Sequence, residues 1–529
     1  MVDNLLAEPE GARDNREIGG VPFSKLAAAD ETGTAGESGF EQTTSILSQL
    51  IYPAALLASL SIWTLALRAP LWLDETLAYW QVSGGFWKIW SRSELMPSSI
   101  GYLYTLWVAK SILGSQEIAL KIPSTLAMLG AVYFLFRVAR ELFAQDIAFL
   151  ICILFALEPN VVFAATDARP YAFALLATNA AIFAFIRWMK RHQMQDAILF
   201  GAAAAGILYF HYLFGAVLPA FAIYYVAVRR RSIAADARQL VAVLISFTLL
   251  TLPLLYRVAS LYHTKETHVV QELPPKGVAL NTLAPMQTLI GFVGILFLAA
   301  LVRKVTLPGR DSFPVILLCP LLALVPAGIL FGVSATTTLH LVIPRYFLVV
   351  TPGSALTWGL LTSRIDSRWL RLAFCVCLVA VTVFECFGSP NSRRHELTFK
   401  QAHELVNANV DKDKAPVLIC SSFIESNFEP LPTDMSSENA LVSQVSYYPI
   451  NAPVILLPYT LNDEAMRIGR QTILAAEQRH QRFLGLGAPE CYPTLAWLAS
   501  SSRGAFAAQT IGNFDGIVVV EFQPVAGSD

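Results

Sequence analysis

Residues 47–76 read LSQLIYPAALLASLSIWTLALRAPLWLDET. No charged side chain interrupts this run before Arg68, and about 20 predominantly apolar residues are what an α-helix needs to cross a bilayer. The run therefore predicts a membrane span. At its exit stands the acidic pair Asp74-Glu75, flanked by Trp72, Tyr79 and Trp80, rings that favour the lipid–water boundary. Carboxylates near a membrane surface lose hydration, which raises the free energy of the charged form. One held there suits a general base for an alcohol or a ligand for a divalent cation. The plainer alternative is two solvated loop acids, since ionisable residues outside the hydrocarbon are common.

The rest of the chain supports the span reading. Of 529 residues, 55% are hydrophobic and only 15% charged, against about 25% charged in ordinary soluble domains. Further apolar runs of helix length lie at 121–138, 147–166, 171–188, 197–211, 212–228, 239–258, 283–302, 313–333, 345–361 and 369–387. With 47–68 they make about 11 transmembrane helices. The boundary near His211 is weak. Residues 98–114 are apolar but short and are expected as a juxtamembrane or re-entrant helix in the first outer loop. Basic clusters follow alternate spans: Arg137 and Arg140; Arg187, Lys190 and Arg191; Arg229 to Arg231; Arg303, Lys304 and Arg310; Arg364, Arg368 and Arg371. The positive-inside rule places them in the cytoplasm. The first loop and everything after Phe387 then face outward.

Residues 1–46 are polar and acidic and are expected as a disordered cytoplasmic tail, not a signal peptide. Residues 47–387 form the transmembrane domain. Beyond 388 the composition turns mixed, with short β-rich runs at Val417–Cys420, Val454–Leu457, Phe483–Leu486 and Gly516–Phe522 and helical patterns around 399–410 and 463–481. This predicts an α/β domain over 388–529 in the periplasm. There Cys420 and Cys491 meet an oxidising compartment and can pair; the alternative is that Cys420 is simply a buried strand residue. The 7 cysteines form no CxxC pair, so no zinc site is indicated. No basic stretch suits nucleic acid.

Two more outer junctions carry chemistry. Thr166-Asp167-Ala168-Arg169-Pro170-Tyr171 offers an arginine able to grip phosphate through two parallel hydrogen bonds. His340-Leu341-Val342-Ile343-Pro344-Arg345-Tyr346 places a second arginine outside, against the trend, as does Lys121. An outward cation at a helix mouth is explained by a bound anion or by snorkelling to headgroups. His211, in Tyr209-Phe210-His211-Tyr212, is placed to donate to a phosphate or sugar hydroxyl, or is structural. His263 and His268 in the 259–282 loop lack the spacing of a helical metal-binding pair.

Taken in order, these segments resemble the GT-C glycosyltransferases, in particular the bacterial branch of the lipid A aminoarabinose transferase and the protein O-mannosyltransferase-like enzymes. The resemblance covers roughly 50–390. It rests on the first-loop Asp74-Glu75, on Gln116-Glu117-Ile118-Ala119-Leu120-Lys121-Ile122-Pro123-Ser124, on Asp167 to Tyr171, on Tyr209 to Tyr212 and on Arg345-Tyr346. It implies a polyprenyl-phosphate sugar donor used on the outer face of a bacterial inner membrane, a lipid, glycan or protein acceptor, and inversion at the anomeric carbon. Asp74 would be the base and Glu75 its support or an acceptor contact. Lys121, Arg169 and Arg345 would hold the leaving phosphate, with Asp167, Tyr171, His211 and Tyr346 around the substrate. Two features depart from the family: Glu94-Leu95-Met96-Pro97-Ser98-Ser99 lacks the usual His-Pro-Pro or Lys-Pro-Pro, and position 121 is Lys where Arg is usual. No metal ligands are assigned, and whether a divalent cation takes part is left open. The alternative, a transporter or flippase, would place its ionisable residues at mid-membrane in paired halves.

Overall fold

The computed structural model describes residues 38–95, 99–229, 236–268, 313–337, 339, 341–389, 399–410, 413–427, 431–432 and 439–525. Among them seven helices are long and apolar enough to cross a membrane: Leu50–Leu67, Glu117–Leu142, Tyr171–Arg191, Tyr212–Arg229, Ala237–Leu255, Pro314–Thr336 and Arg368–Gly388. Apolar side chains such as Leu57, Leu126, Leu244, Leu324 and Val376 stand exposed on these helices. Lipid solvates such faces, and the chain is a multi-pass membrane protein.

Local chemistry explains where the helices depart from the expected runs. The expected span 147–166 is a pair, Gln145–Leu157 and Pro159–Ala165, bent by 73°. Pro159 has no N–H to donate and pushes Glu158 out of the helical region, to φ −61°, ψ 127°. The Glu158 carboxylate then caps the second piece by accepting from Val161 N at 2.8 Å. The weak boundary at His211 is a true break. Helix Met194–Phe210 ends there, His211 is extended, and a 3-10 turn Tyr212–Val217 leads into Leu218–Arg229. The segment 345–361 begins as the 3-10 turn Pro344–Val350 and continues as helix Thr351–Ser363. The helix starting at Ala237 runs to His268, so His263 and His268 lie on it rather than in a loop. Residues 98–114, expected as a juxtamembrane or re-entrant helix, contain the helix Ile100–Leu113. The span 283–302 and residues 1–37 lie outside the described residues, and the first helix begins at Ser38.

Small residues let the helices close up. A Cβ on Gly201 would come within 2.7 Å of the Val243 carbonyl, and one on Gly353 within 2.4 Å of the Leu322 backbone. Such close approach is how membrane helices gain packing without a hydrophobic drive between them. Helix Tyr171–Arg191 lies against both Glu117–Leu142 and Met194–Phe210. The two ends of that helix carry different chemistry. At its C-terminal end Lys190 pairs with Glu141 at 2.8 Å and Arg187 with Asp196 at 3.0 Å. Its N-terminal end opens on Arg169 and Tyr171.

The C-terminal part is an α/β domain on a five-stranded sheet of order β2-β1-β3-β5-β4. β1 (Val417–Cys420) runs parallel to β2 (Val454–Leu457) and β3 (Phe483–Gly487). β5 (Ile517–Pro524) is antiparallel to β3 and to the edge strand β4 (Phe506–Phe514). Val417, Ile419, Leu484, Leu486 and Val519 face helix Lys400–Val410. Leu418, Cys420, Phe483 and Phe522 face Asp463–Gln478 and Tyr492–Ser501. Burial on both faces explains why β1 and β3 read as unbroken apolar runs. Cys420 and Cys491 form a disulfide, with Cα atoms 6.0 Å apart. The domain does not stand apart from the membrane part. Leu77 and Trp80 of helix Leu73–Ser83 are buried against Phe423, Leu441 and Leu456.

Candidate active site

The site begins with the backbone of 69–75. Trp72 is extended and caps helix Leu73–Ser83, which sets Asp74 and Glu75 in the first turn. Anionic side chains favour that place, because the free N–H groups there carry partial positive charge. Glu75 is fully buried. Its Oε2 accepts from Trp72 N at 3.1 Å, and its Oε1 accepts from Ala168 N at 2.6 Å. A buried carboxylate is tolerated only when satisfied in this way. Here it also ties the first loop to the junction at 166–170. A second tie runs from Trp72 Nε1 to Asp167 Oδ1 at 2.9 Å. Lys121, fully buried, donates its ammonium to the Ala69 carbonyl.

Asp74 faces the other way. It retains 19% side-chain exposure, and its Oδ2 lies 3.7 Å from both Arg169 Nη2 and Arg345 Nη1. Arg169 Nη1 also donates to the Asp74 carbonyl at 3.2 Å. The Arg345 guanidinium lies over the Trp72 ring at 5.4 Å and near the Tyr346 ring at 5.8 Å. Both rings steer its planar fork toward Asp74. His211 is walled by Tyr171, Phe214 and Tyr346, with ring centroids 5.2, 5.1 and 5.7 Å away. Arg169 Nε and His211 Nδ1 are buried and have no hydrogen-bond partner among the described residues.

The structure thus brings Asp74, Arg169, Tyr171, His211, Arg345 and Tyr346 into one cluster. Glu75 and Asp167 sit beneath it as backbone and indole acceptors, and Lys121 touches it through the loop backbone at Ala69. His340 lies outside the described residues. Among those described, no group of three or more His, Cys, Asp or Glu is placed to hold a metal ion. Both Glu75 oxygens already accept backbone N–H groups.

Sequence reasoning missed several participants. Trp72 reads as an interface ring, yet it supplies an indole donor to Asp167. Tyr102, on helix Ile100–Leu113, is buried beneath the site. Burial first, and then the Asp167 carboxylate, keep its hydroxyl protonated well beyond the ordinary tyrosine range. Tyr448 and Glu117 reach the loop from the C-terminal domain and from the start of the Glu117–Leu142 helix. Tyr448 Oη accepts from Leu71 N at 2.8 Å and donates to Glu117 Oε1 at 2.7 Å.

Residues 98–256 match the family model of dolichyl-phosphate-mannose-protein mannosyltransferase. No curated protein matches the chain. Among solved structures, the chain is similar to ArnT from Cupriavidus metallidurans in its apo state, at 12% identity and TM-score 0.50. That match covers 91% of this chain and 98% of that one. The same protein bound to undecaprenyl phosphate gives 12% identity and TM-score 0.50 over 92% and 98%. The Archaeoglobus fulgidus oligosaccharyltransferase in its apo form follows at 11% identity and TM-score 0.44 over 90% and 75%. The fold assignment rests on the two ArnT structures, on the family model and on the membrane helices with their C-terminal sheet domain. This protein is a polytopic membrane protein of the GT-C glycosyltransferase fold.

Proposed function

We propose that this protein is a glycosyltransferase that moves a sugar from a polyprenyl-phosphate donor to an acceptor hydroxyl on the periplasmic face of the inner membrane. The observation that carries the reading is Asp74 held between Arg169 and Arg345, 3.7 Å from each. The reaction needs a base and cations side by side. The acceptor hydroxyl gives its proton to Asp74 as its oxygen bonds to the anomeric carbon. The bond from that carbon to the phosphate oxygen breaks, and the electron pair leaves with the polyprenyl phosphate. Negative charge grows on the phosphate in the transition state, and preplaced guanidinium groups stabilise it without reorganising. On donor binding the phosphate takes over the two guanidiniums, and Asp74 Oδ2 turns to the acceptor hydroxyl. Tyr171, His211 and Tyr346 form the wall against which the sugar or the first isoprene unit packs.

Among the described residues Arg169 Nε and His211 Nδ1 are buried without a hydrogen-bond partner, and because buried polar groups as a rule find one, they support a polar ligand at this spot. One of the two similar ArnT structures holds undecaprenyl phosphate, which suits a lipid phosphate here. The outward orientation is supported by the basic clusters at the far helix ends and by the Cys420–Cys491 disulfide, a bond suited to an oxidising compartment. The test is mass spectrometry of envelope lipids, glycans and proteins from cells with and without this protein. The expected result is one added pentose or hexose mass on an envelope component, lost in the deletion. Identical glycan profiles overturn the reading.

A further inference from the structure

The loop that presents Asp74 carries backbone groups that its own sequence does not satisfy. Leu71 is fully buried, and its N–H follows Pro70, so no helical ladder reaches it. A buried backbone N–H must find a partner. The partner is Tyr448 Oη, 377 positions along the chain, at 2.8 Å. The same hydroxyl donates to Glu117 Oε1 at 2.7 Å, and Lys400 Nζ lies 3.2 Å from that oxygen. His403 Nδ1 meets the Tyr448 carbonyl at 2.6 Å and fixes the backbone that carries the ring. Tyr447 packs edge-on to Tyr79 at 4.7 Å and donates to the Ser115 carbonyl at 2.9 Å. The contact is therefore built from the C-terminal domain, the first loop and the start of the Glu117–Leu142 helix together.

We propose that Tyr448 is a positioning residue for the Asp74 loop. Its hydroxyl, polarised by Glu117, holds the Leu71 N–H and so fixes where helix Leu73–Ser83 begins. Donating a hydrogen bond to a carboxylate makes the phenolic oxygen a stronger acceptor, because hydrogen bonds in a chain polarise one another. Lys121 on the Ala69 carbonyl and Glu75 on the Trp72 N–H pin the neighbouring peptide groups. Tyr448 supplies the remaining anchor, between them. The Asp74 carboxylate lies within one helical turn of that anchor, so a loosened Leu71 shifts it relative to Arg169 and Arg345. Reacting groups displaced by about 1 Å lose about a hundredfold in rate. The C-terminal domain is thus part of the catalytic frame. This inference rests on the proposed transferase reading only for the role of Asp74.

The experiment uses the full-length protein in nanodiscs, wild type and Tyr448→Phe, in two measurements. Hydrogen–deuterium exchange reads the loop without any turnover. The expected result is about tenfold faster exchange over 71–76 in Tyr448→Phe, with β1, β3 and helix Asp463–Gln478 unchanged. Sugar transfer from a polyprenyl-phosphate donor is expected to lose about tenfold in kcat while the donor KM stays the same, the mark of a misplaced base. Unchanged exchange at 71–76 overturns the proposal. So does equal acceleration across 400–457, which would show simple undocking. If Tyr448→Phe does not fold, Glu117→Gln decides: its amide oxygen still accepts from Tyr448 but lacks charge, and about threefold faster exchange at 71–76 is expected. No change there also overturns the proposal. A wild type that transfers no sugar sinks the proposed function, while the exchange result still decides the role of Tyr448.

Discussion

Arg345 Nη1 and Asp74 Oδ2 meet at 3.7 Å, although one lies at the mouth of a late helix and the other in the first loop. Here it faces a carboxylate together with Arg169, so that Asp74 stands between two guanidinium groups. A phosphate entering this cluster competes with Asp74 for the same guanidinium groups.

That competition sets the first prediction. Arg345→Met and Arg169→Met each remove a preplaced donor from the growing phosphate charge. Each is expected to lower kcat by about a hundredfold or more. The double variant should lose less than the product of the two, because both act on one group. Steady-state kinetics on the purified variants reads this; strictly multiplicative losses would argue that the two arginines serve different groups.

Glu75 carries a stability prediction. Glu75→Gln can accept from only one of Trp72 N and Ala168 N, and its amide N–H₂ faces the other. An N–H left without its acceptor costs about 1–3 kcal/mol. Thermal unfolding in detergent should show a lower Tm for this variant. A wild-type Tm would mean the two contacts contribute nothing to stability.

His403 carries a pH prediction. Burial holds its imidazole neutral and pushes its pKa down to about 4 from 6.5. The unfolded chain takes up that proton near 6.5 and the folded one near 4. Stability is therefore whole above about pH 6.5 and falls as pH drops from 6.5 toward 4, by up to about 1.4 kcal/mol per pH unit. His403→Phe should flatten this slope while lowering stability at neutral pH, because it loses the contact to the Tyr448 carbonyl. Chemical denaturation at pH 4.5, 5.5 and 7 separates the two effects.

The disulfide carries another. Cys420 and Cys491 close a loop with a sequence separation of 71, and such a bridge contributes about 4 kcal/mol on chain-entropy grounds. Cys420→Ala with Cys491→Ala is expected to lower the melting of the C-terminal domain by many degrees. Alkylation of the denatured wild type should label Cys152, Cys319, Cys375, Cys377 and Cys386 before reduction, and Cys420 and Cys491 as well after it. Labelling of Cys420 without reductant would show that the bond does not form in cells.

Much of this frame is legible in the sequence because charge and hydropathy act over short distances along a chain. The run 47–67 with Asp74-Glu75 at its exit reads as a span and its mouth. β1, β2 and β3 stand out as apolar runs because they are buried on both faces or paired within the sheet. β4 escapes such a reading because its run Ala507 to Thr510 is small or polar and exposed on an edge. The signal that marks it is Asp515-Gly516, both at positive φ, the two-residue turn that joins a hairpin. The break at Pro159 is hidden because hydropathy continues through it. Helix Tyr492–Ser501 is short and only weakly amphipathic, so no periodicity marks it. The site's cations stand out in the sequence because they fall outside the basic clusters that follow alternate apolar runs. Their meeting on Asp74 is not, since nothing local links positions 74, 169 and 345. Tyr448 is the least legible of all: its acceptor and donor partners, Glu117 and Leu71, sit in another domain.

If Asp74 takes the acceptor's proton, as proposed, its charge is indispensable to transfer. The direct measurement is sugar transfer by purified Asp74→Asn with a polyprenyl-phosphate sugar, alongside its elution profile and Tm. Asn keeps the shape and loses the charge. With Asp74 as the base, the expected rate is lower by about a hundredfold to ten-thousandfold with folding unchanged; transfer at the wild-type rate would rule that role out.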